Sequence, residues 1–191
     1  MKGYSIREVA GRRDLRRFIR FPETLYAGCS QYVPPLHKGQ EHELMHSASL
    51  QYCTRKMWLA EDASGKVVGR ICAMINPRYN EKYDKRRVRF GWFDLINDAE
   101  VAELLIGTAE KWAKEQGMDE IHGPLYYNTL GRQGMLVEGF EKIAPFSCLY
   151  NFRIMWILCR SSASRRSATG SNTGCLRIRE LMTGWRRSLR G

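Results

Sequence analysis

The chain has 191 residues, of which 43% are hydrophobic and 27% charged, with a formal charge of +11. That is room for one domain with a real core, and its longest apolar stretch, Ile154 to Cys159, is far too short to cross a bilayer. The charge does not point to nucleic acid: nine arginines and one glutamate put +8 of it in residues 153–191 and leave +3 for residues 1–152. Cys29, Cys53, Cys72, Cys148, Cys159 and Cys175 form no CxxC pair and read as free thiols of a reducing compartment. No apolar leader follows Met1-Lys2, so a cytoplasmic protein is expected.

In chain order, Tyr4 to Val9 alternates as a first strand. Arg12 to Ile19 has helical spacing at Leu15, Phe18 and Ile19, with a restart or kink at Pro22 and a stop at Gly28. Tyr32 to Leu36 is an extended connector, and Gly39 to Ser47 reads as a solvated turn. Lys56 to Glu61 and Val67 to Asn76 form a hairpin across Asp62-Ala63-Ser64-Gly65-Lys66. Pro77 ends the second run, Arg78 to Arg87 is a charged loop, and Val88 to Ile96 is a third strand. Asn97 or Asp98 caps a helix with Val101, Leu104, Leu105, Thr108 and Trp112 on one face. Gly117 closes that helix, and Met118 to His122 is a further strand running into Gly123-Pro124. The expected class is α/β, an α+β layer in which helices flank a mixed sheet.

After Phe152 the text changes. Residues 153–191 contain no Lys or Asp, one acidic residue (Glu180), and clusters such as Ser161-Ser162-Ala163-Ser164-Arg165-Arg166. Arginine- and serine-rich text without hydrophobic periodicity is what a coding sequence yields out of frame. Shifting the reading by one base permits LPYYVDFVQKLGFQKECDWVEYRV from Phe152 onward, which patterns as a helix followed by a strand. The expectation is a domain over residues 1–152, incomplete and of impaired activity, followed by an out-of-frame, disordered tail over 153–191. That tail shows no aromatic interleaving, so no nucleic-acid partner is expected.

Leu59 to Asn76 (LAEDASGKVVGRICAMIN), then GWFDLIND and AEKWAKEQGMDEIHGPL, resemble the central part of the GNAT superfamily of N-acyltransferases. The shifted-frame FVQKLGF looks like that superfamily's last signature. VPPL at 33–36, VVGR at 67–70 and GMLVEGF at 134–140 look like a mostly uncharacterised bacterial group, related to ceramide-synthase-like N-acyltransferases. The resemblance covers about residues 4–151. It implies a mixed, mostly antiparallel sheet flanked by helices. It also implies direct acyl transfer from acyl-CoA or acetyl-CoA to a small or lipid-like amine, without metal. A splayed strand Phe90–Ile96 would offer backbone to the thioester, so Phe93, Leu95, Ile96, Asn97 and Asp98 are the expected cofactor contacts. The turn Leu95-Ile96-Asn97-Asp98 departs from the superfamily's pattern. It lacks the glycine-rich phosphate loop and puts a carboxylate at the helix N-terminus. A non-catalytic GNAT-shaped binding module is the competing class.

Three residues are candidate catalytic groups. Glu138, alone among apolar residues and glycines in Gly134–Phe140, reads either as an exposed or ion-paired turn residue or as a base of raised pKa. Tyr127 and Asn128, after Gly123-Pro124-Leu125-Tyr126, stand where a strand's carboxyl end builds a site, or where aromatics pack a turn. His42-Glu43-Leu44-Met45-His46 matches HExxH, the zinc-hydrolase spacing, yet no third ligand accompanies it; the expectation is no metal.

Overall fold

The structure, a computed structural model, describes residues 3–127, 134–143, 148–155, 158, 165–166 and 174–177. Strand β1 (Ser5–Glu8) is followed by α1 (Gly11–Leu25), α2 (His37–His46), β2 (Thr54–Glu61), β3 (Val67–Ile75) and α3 (Pro77–Lys82). Then come β4 (Arg87–Leu95), α4 (Ala99–Glu115), β5 (Glu120–Gly123), β6 (Arg165–Arg166) and β7 (Gly174–Arg177). The sheet order is β1-β2-β3-β4-β5-β7-β6. β1 to β4 pair antiparallel, and β5 joins β4 in parallel, with α4 as the crossover. This is the expected mixed, mostly antiparallel sheet flanked by helices. The expected out-of-frame, disordered tail lies outside the described residues except at 153–155, 158, 165–166 and 174–177; of these, β7 pairs with β5, and Met155 is fully buried.

Strand alternation sends side chains to two cores. On one face Ile71, Ala73 and Ile75 of β3 pack with Val101, Leu105 and Ala109 of α4. On the other, Cys72 and Met74 pack with Leu15 and Phe18 of α1 and Leu44 of α2. Asp98 is the cap of α4, its Oδ1 accepting from the Glu100 N–H at 2.9 Å. The hairpin turn is held by Asp62 Oδ1, which accepts from the Ser64 and Lys66 N–H groups at 2.9 and 3.1 Å.

Three expectations are corrected. Gly39 to Ser47 is not a turn but most of α2, because the buried Leu44 and Gln40 give the polar segment one inward side. The loop after Pro77 contains α3: Asn76 Oδ1 accepts from the Tyr79 N–H at 2.9 Å, so Asn-Pro starts a helix here. Pro22 does not restart the helix: α1 runs through it from Gly11 to Leu25. The missing N–H of Pro22 leaves the Phe18 carbonyl without its helical donor, and Arg70 Nη1 on β3 supplies one at 2.7 Å.

β4 and β5 approach most closely at Gly123. A Cβ there would lie 2.4 Å from the Phe90 carbonyl oxygen, which is already held by the Leu125 N–H at 2.7 Å. Gly123→Ala is therefore expected to destabilise the fold by about 1–3 kcal/mol, read as a lower urea midpoint at unchanged slope.

Candidate functional site

β4 leaves β5 early. Their described pairs are Arg87 with Glu120, Val88 with Ile121 and Arg89 with His122. Beyond them the β3–β4 register shifts, so that Trp92 and Phe93 together face Ile71. Trp92 sits at φ +46°, a left-handed conformation that costs an aromatic residue energy and clusters at functional sites. Its ring stacks on Tyr126 at 3.7 Å and 9°, which holds that conformation in place.

Beside the bulged half of β4 lies a cavity of about 240 Å³. Trp92, Phe93 and Asp94 form one wall, and Met135, Tyr150 and Asn151 belong to another. Asn151 ties that second wall together as a strand would: its Oδ1 accepts from the Leu136 N–H at 2.7 Å and its Nδ2 donates to the Leu136 carbonyl at 3.2 Å. The rim is Val33-Pro34-Pro35-Leu36, the extended connector between α1 and α2.

A buried charge network lines this cavity. Arg70 donates from Nε to Asp94 Oδ2 at 2.7 Å, and its Nη2 lies at the same distance from that oxygen. The Tyr26 hydroxyl donates to Asp94 Oδ1 at 2.7 Å. Burial, and then the Asp94 charge, hold the Tyr26 phenol well above its usual pKa, so it stays protonated. The Tyr150 hydroxyl and the Cys29 thiol are hydrogen-bonded at 3.3 Å, and burial first, then that bond, push the Tyr150 phenol up to about 12. Sequence reading missed Tyr26, Arg70, Asp94 and Tyr150. The available signal was a charge inside each of two neighbouring apolar strands, Arg70 in VVGRICAMI and Asp94 in FGWFDL.

Among the sequence candidates, Phe93 lines the cavity. Leu95 is fully buried in the α4 core, Ile96 is half-buried, Asn97 is exposed, and none of the three is in the lining. Asp98 Oδ2 accepts from the Tyr4 hydroxyl at 3.0 Å. Its carboxylate thus occupies the N-terminus of α4, the place where a helix would otherwise hold a phosphate. Tyr127 is buried in the α1–α2 core, its hydroxyl without a partner among the described residues and its phenol raised by burial first and then by Cys72. Glu138 is exposed and outside the cavity lining, and Asn128 lies outside the described residues. His42 and His46 share one exposed side of α2, ring centroids 5.8 Å apart. Among the described residues no three His, Cys, Asp or Glu side chains are grouped to hold a metal ion.

No family model matches the chain. Protein YghO of Escherichia coli K12 is 36% identical over 137 residues, which are 71% of this chain; the chain spans only 35% of that curated relative's length. A tandem GNAT protein from the clavulanic acid biosynthesis pathway, solved without AcCoA, superposes with a TM-score of 0.50. The match covers 62% of this chain and 35% of that one, at 13% identity. The fold is of the GNAT type. A GNAT-family acetyltransferase from Staphylococcus aureus Mu50 superposes at a TM-score of 0.47 and 16% identity, over 63% of this chain and 72% of that one.

One group on β5 of this GNAT-type sheet reports on pH. His122 Nδ1 lies 3.2 Å from Arg87 Nη1, a donor only, so Nδ1 accepts and the ring proton sits on the buried Nε2. Burial, then the Arg87 and Arg89 charges, lower its pKa to about 4. Unfolded, the ring takes a proton near 6.5, so stability is complete above that pH and falls as pH drops toward 4. The loss is expected to be on the order of 3 kcal/mol. His122→Gln should flatten that part of the stability–pH curve measured by urea unfolding.

Proposed function

We propose that this GNAT fold transfers an acyl group from acyl-CoA or acetyl-CoA to a small or lipid-like amine. Membership of the bacterial group related to ceramide-synthase-like N-acyltransferases is part of the same proposal. What supports it is the bulge in the β3–β4 pairing, where a strained Trp92 and Phe93 border a cavity with an apolar rim. A thioester laid along that wall meets a cleft closed by Tyr26, Asp94 and Tyr150. The amine nitrogen bonds to the acyl carbon, the C–S bond breaks, and its electron pair stays on sulfur. The Tyr150 hydroxyl, 3.3 Å from Cys29 in the structure, turns its proton to that sulfur as charge develops. The proton lost by the amine is gained by the thiol. Asp94 is fully engaged by Arg70 and Tyr26 and serves to orient rather than to take that proton.

Asp98 favours a second reading, a GNAT-shaped binding module, because its carboxylate repels the pyrophosphate of CoA from the N-terminus of α4. Thiol release from acetyl-CoA and long-chain acyl-CoA, assayed with a panel of amines, separates the two. Amine-dependent turnover supports the enzyme, CoA binding without turnover supports the module, and neither binding nor turnover defeats both.

The division at residue 152 is also proposed, on composition: an acyltransferase domain, then an ending read out of frame. Sequencing across the codons for Asn151 and Phe152 tests it, and an unbroken frame would sink it. A chain carrying LPYYVDFVQKLGFQKECDWVEYRV in place of residues from 152 onward should then show the higher turnover.

A further inference from the structure

Helix α1 holds five arginines in 15 residues, and Arg12, Arg13, Arg16 and Arg20 are exposed. The acids around them are engaged elsewhere. Asp14 accepts from the Ala10 N–H and lies 3.7 Å from Arg17, which is itself paired with Glu61. Glu23 is bonded to His37. Among the described residues no ion pair joins any of the four exposed guanidiniums to a carboxylate. Leu15, Phe18, Ile19 and Pro22 form the buried stripe of the helix, so the arginines stand on its far side.

Spacing then connects charge to apolar surface. Arg12, Arg16 and Arg20 recur every four residues, one row along the helix, and Glu23 extends it by three. Glu23 holds His37, the first residue of α2, so the row ends beside Leu36. Leu36 is 84% exposed and Val33 52%, and both stand on the rim of the cavity. Arg13, Arg17 and Arg20 share a groove with Lys66, which widens the basic surface.

We infer that α1 docks on an anionic lipid bilayer, with the arginine row on the headgroups and Leu36 and Val33 in the interface. Guanidinium forks match phosphate and carboxylate headgroups, and a basic amphipathic helix with apolar residues at its end suits a surface with both chemistries. Duplex nucleic acid would satisfy the arginines but leave Leu36 and Val33 without a partner. Docking of this kind is independent of whether the cavity catalyses acyl transfer.

Co-sedimentation of the full chain with phosphatidylcholine vesicles, with and without phosphatidylglycerol, tests this at low and high salt. Binding is expected only to the anionic vesicles and should weaken with salt. The arginines of residues 153–191 are a competing source of charge, so two variants of equal charge are compared. Arg12→Gln/Arg13→Gln/Arg16→Gln/Arg20→Gln should lower partitioning by roughly a hundredfold or more, since each basic residue at an anionic surface contributes about fivefold. Arg165→Gln/Arg166→Gln/Arg186→Gln/Arg187→Gln should change it far less. Leu36→Gln, which alters no charge, should weaken binding a further few fold and guards against a misfolded α1 variant. Equal losses from the two arginine variants, no binding of the parent chain to anionic vesicles, or a tighter α1-dependent grip on duplex DNA would each overturn the inference.

Discussion

Replacing Arg70 by methionine is expected to lower the unfolding free energy by about 3–5 kcal/mol, a large share of a typical domain's stability. The guanidinium is 5% exposed and makes three contacts that nothing else can replace: two to Asp94 Oδ2 and one to the Phe18 carbonyl. Without it, Asp94 is a buried carboxylate supported, among the described residues, by Tyr26 alone, and Phe18 keeps a carbonyl that Pro22 has already deprived of its helical donor. The measurement is urea unfolding of the full chain. Two companion variants separate the causes. Arg70→Met/Asp94→Leu should recover much of the loss, because an apolar pair leaves no orphan charge. Pro22→Ala should soften the Arg70→Met effect by about 1 kcal/mol, since residue 22 then supplies the helical N–H to Phe18. A double variant no better than Arg70→Met would show that the network does not act through charge.

Tyr150→Phe is expected to lower kcat of the proposed transfer by about 10²–10³, with KM little changed. Phenylalanine keeps the ring against Tyr26, an edge contact at 5.4 Å and 82°, and removes only the hydroxyl. A structural role would instead move the melting temperature and spare kcat. Tyr26→Phe is the contrast: its hydroxyl is committed to Asp94, so its loss should appear mainly in stability. Because burial pushes the Tyr150 phenol up to about 12, its ionisation should impose no alkaline fall in rate at ordinary pH. A kcat unchanged in Tyr150→Phe would remove this residue from the mechanism.

The legible elements were those with dense local signals. Helix α4 combined a cap, an apolar face and a closing glycine, and the β2–β3 hairpin combined two apolar runs with an Asp-Ala-Ser-Gly turn. Helix α2 was illegible because its polar residues show no apolar period; only packing of Leu44 and Gln40 reveals its inner side. The candidate site was legible in part. Phe93 fell on the cavity wall because the strand carrying it was recognised, whereas Glu138, conspicuous among glycines and apolar residues, stands exposed.

From residues alone came the class of fold, the order of the strands up to β5 with helices α1 and α4, and the change of character after Phe152, since each rests on composition or on contacts between neighbours in the chain. Only the tertiary structure decided where the cavity lies and what lines it. Tyr26, Arg70, Asp94 and Tyr150 are brought together across α1, β3, β4 and the segment before Phe152, and the proline that orphans a carbonyl is answered by an arginine 48 residues later. Such partners share no local period. Their meeting depends on sheet register and on how the helix lies across it, which emerge only when the whole chain packs.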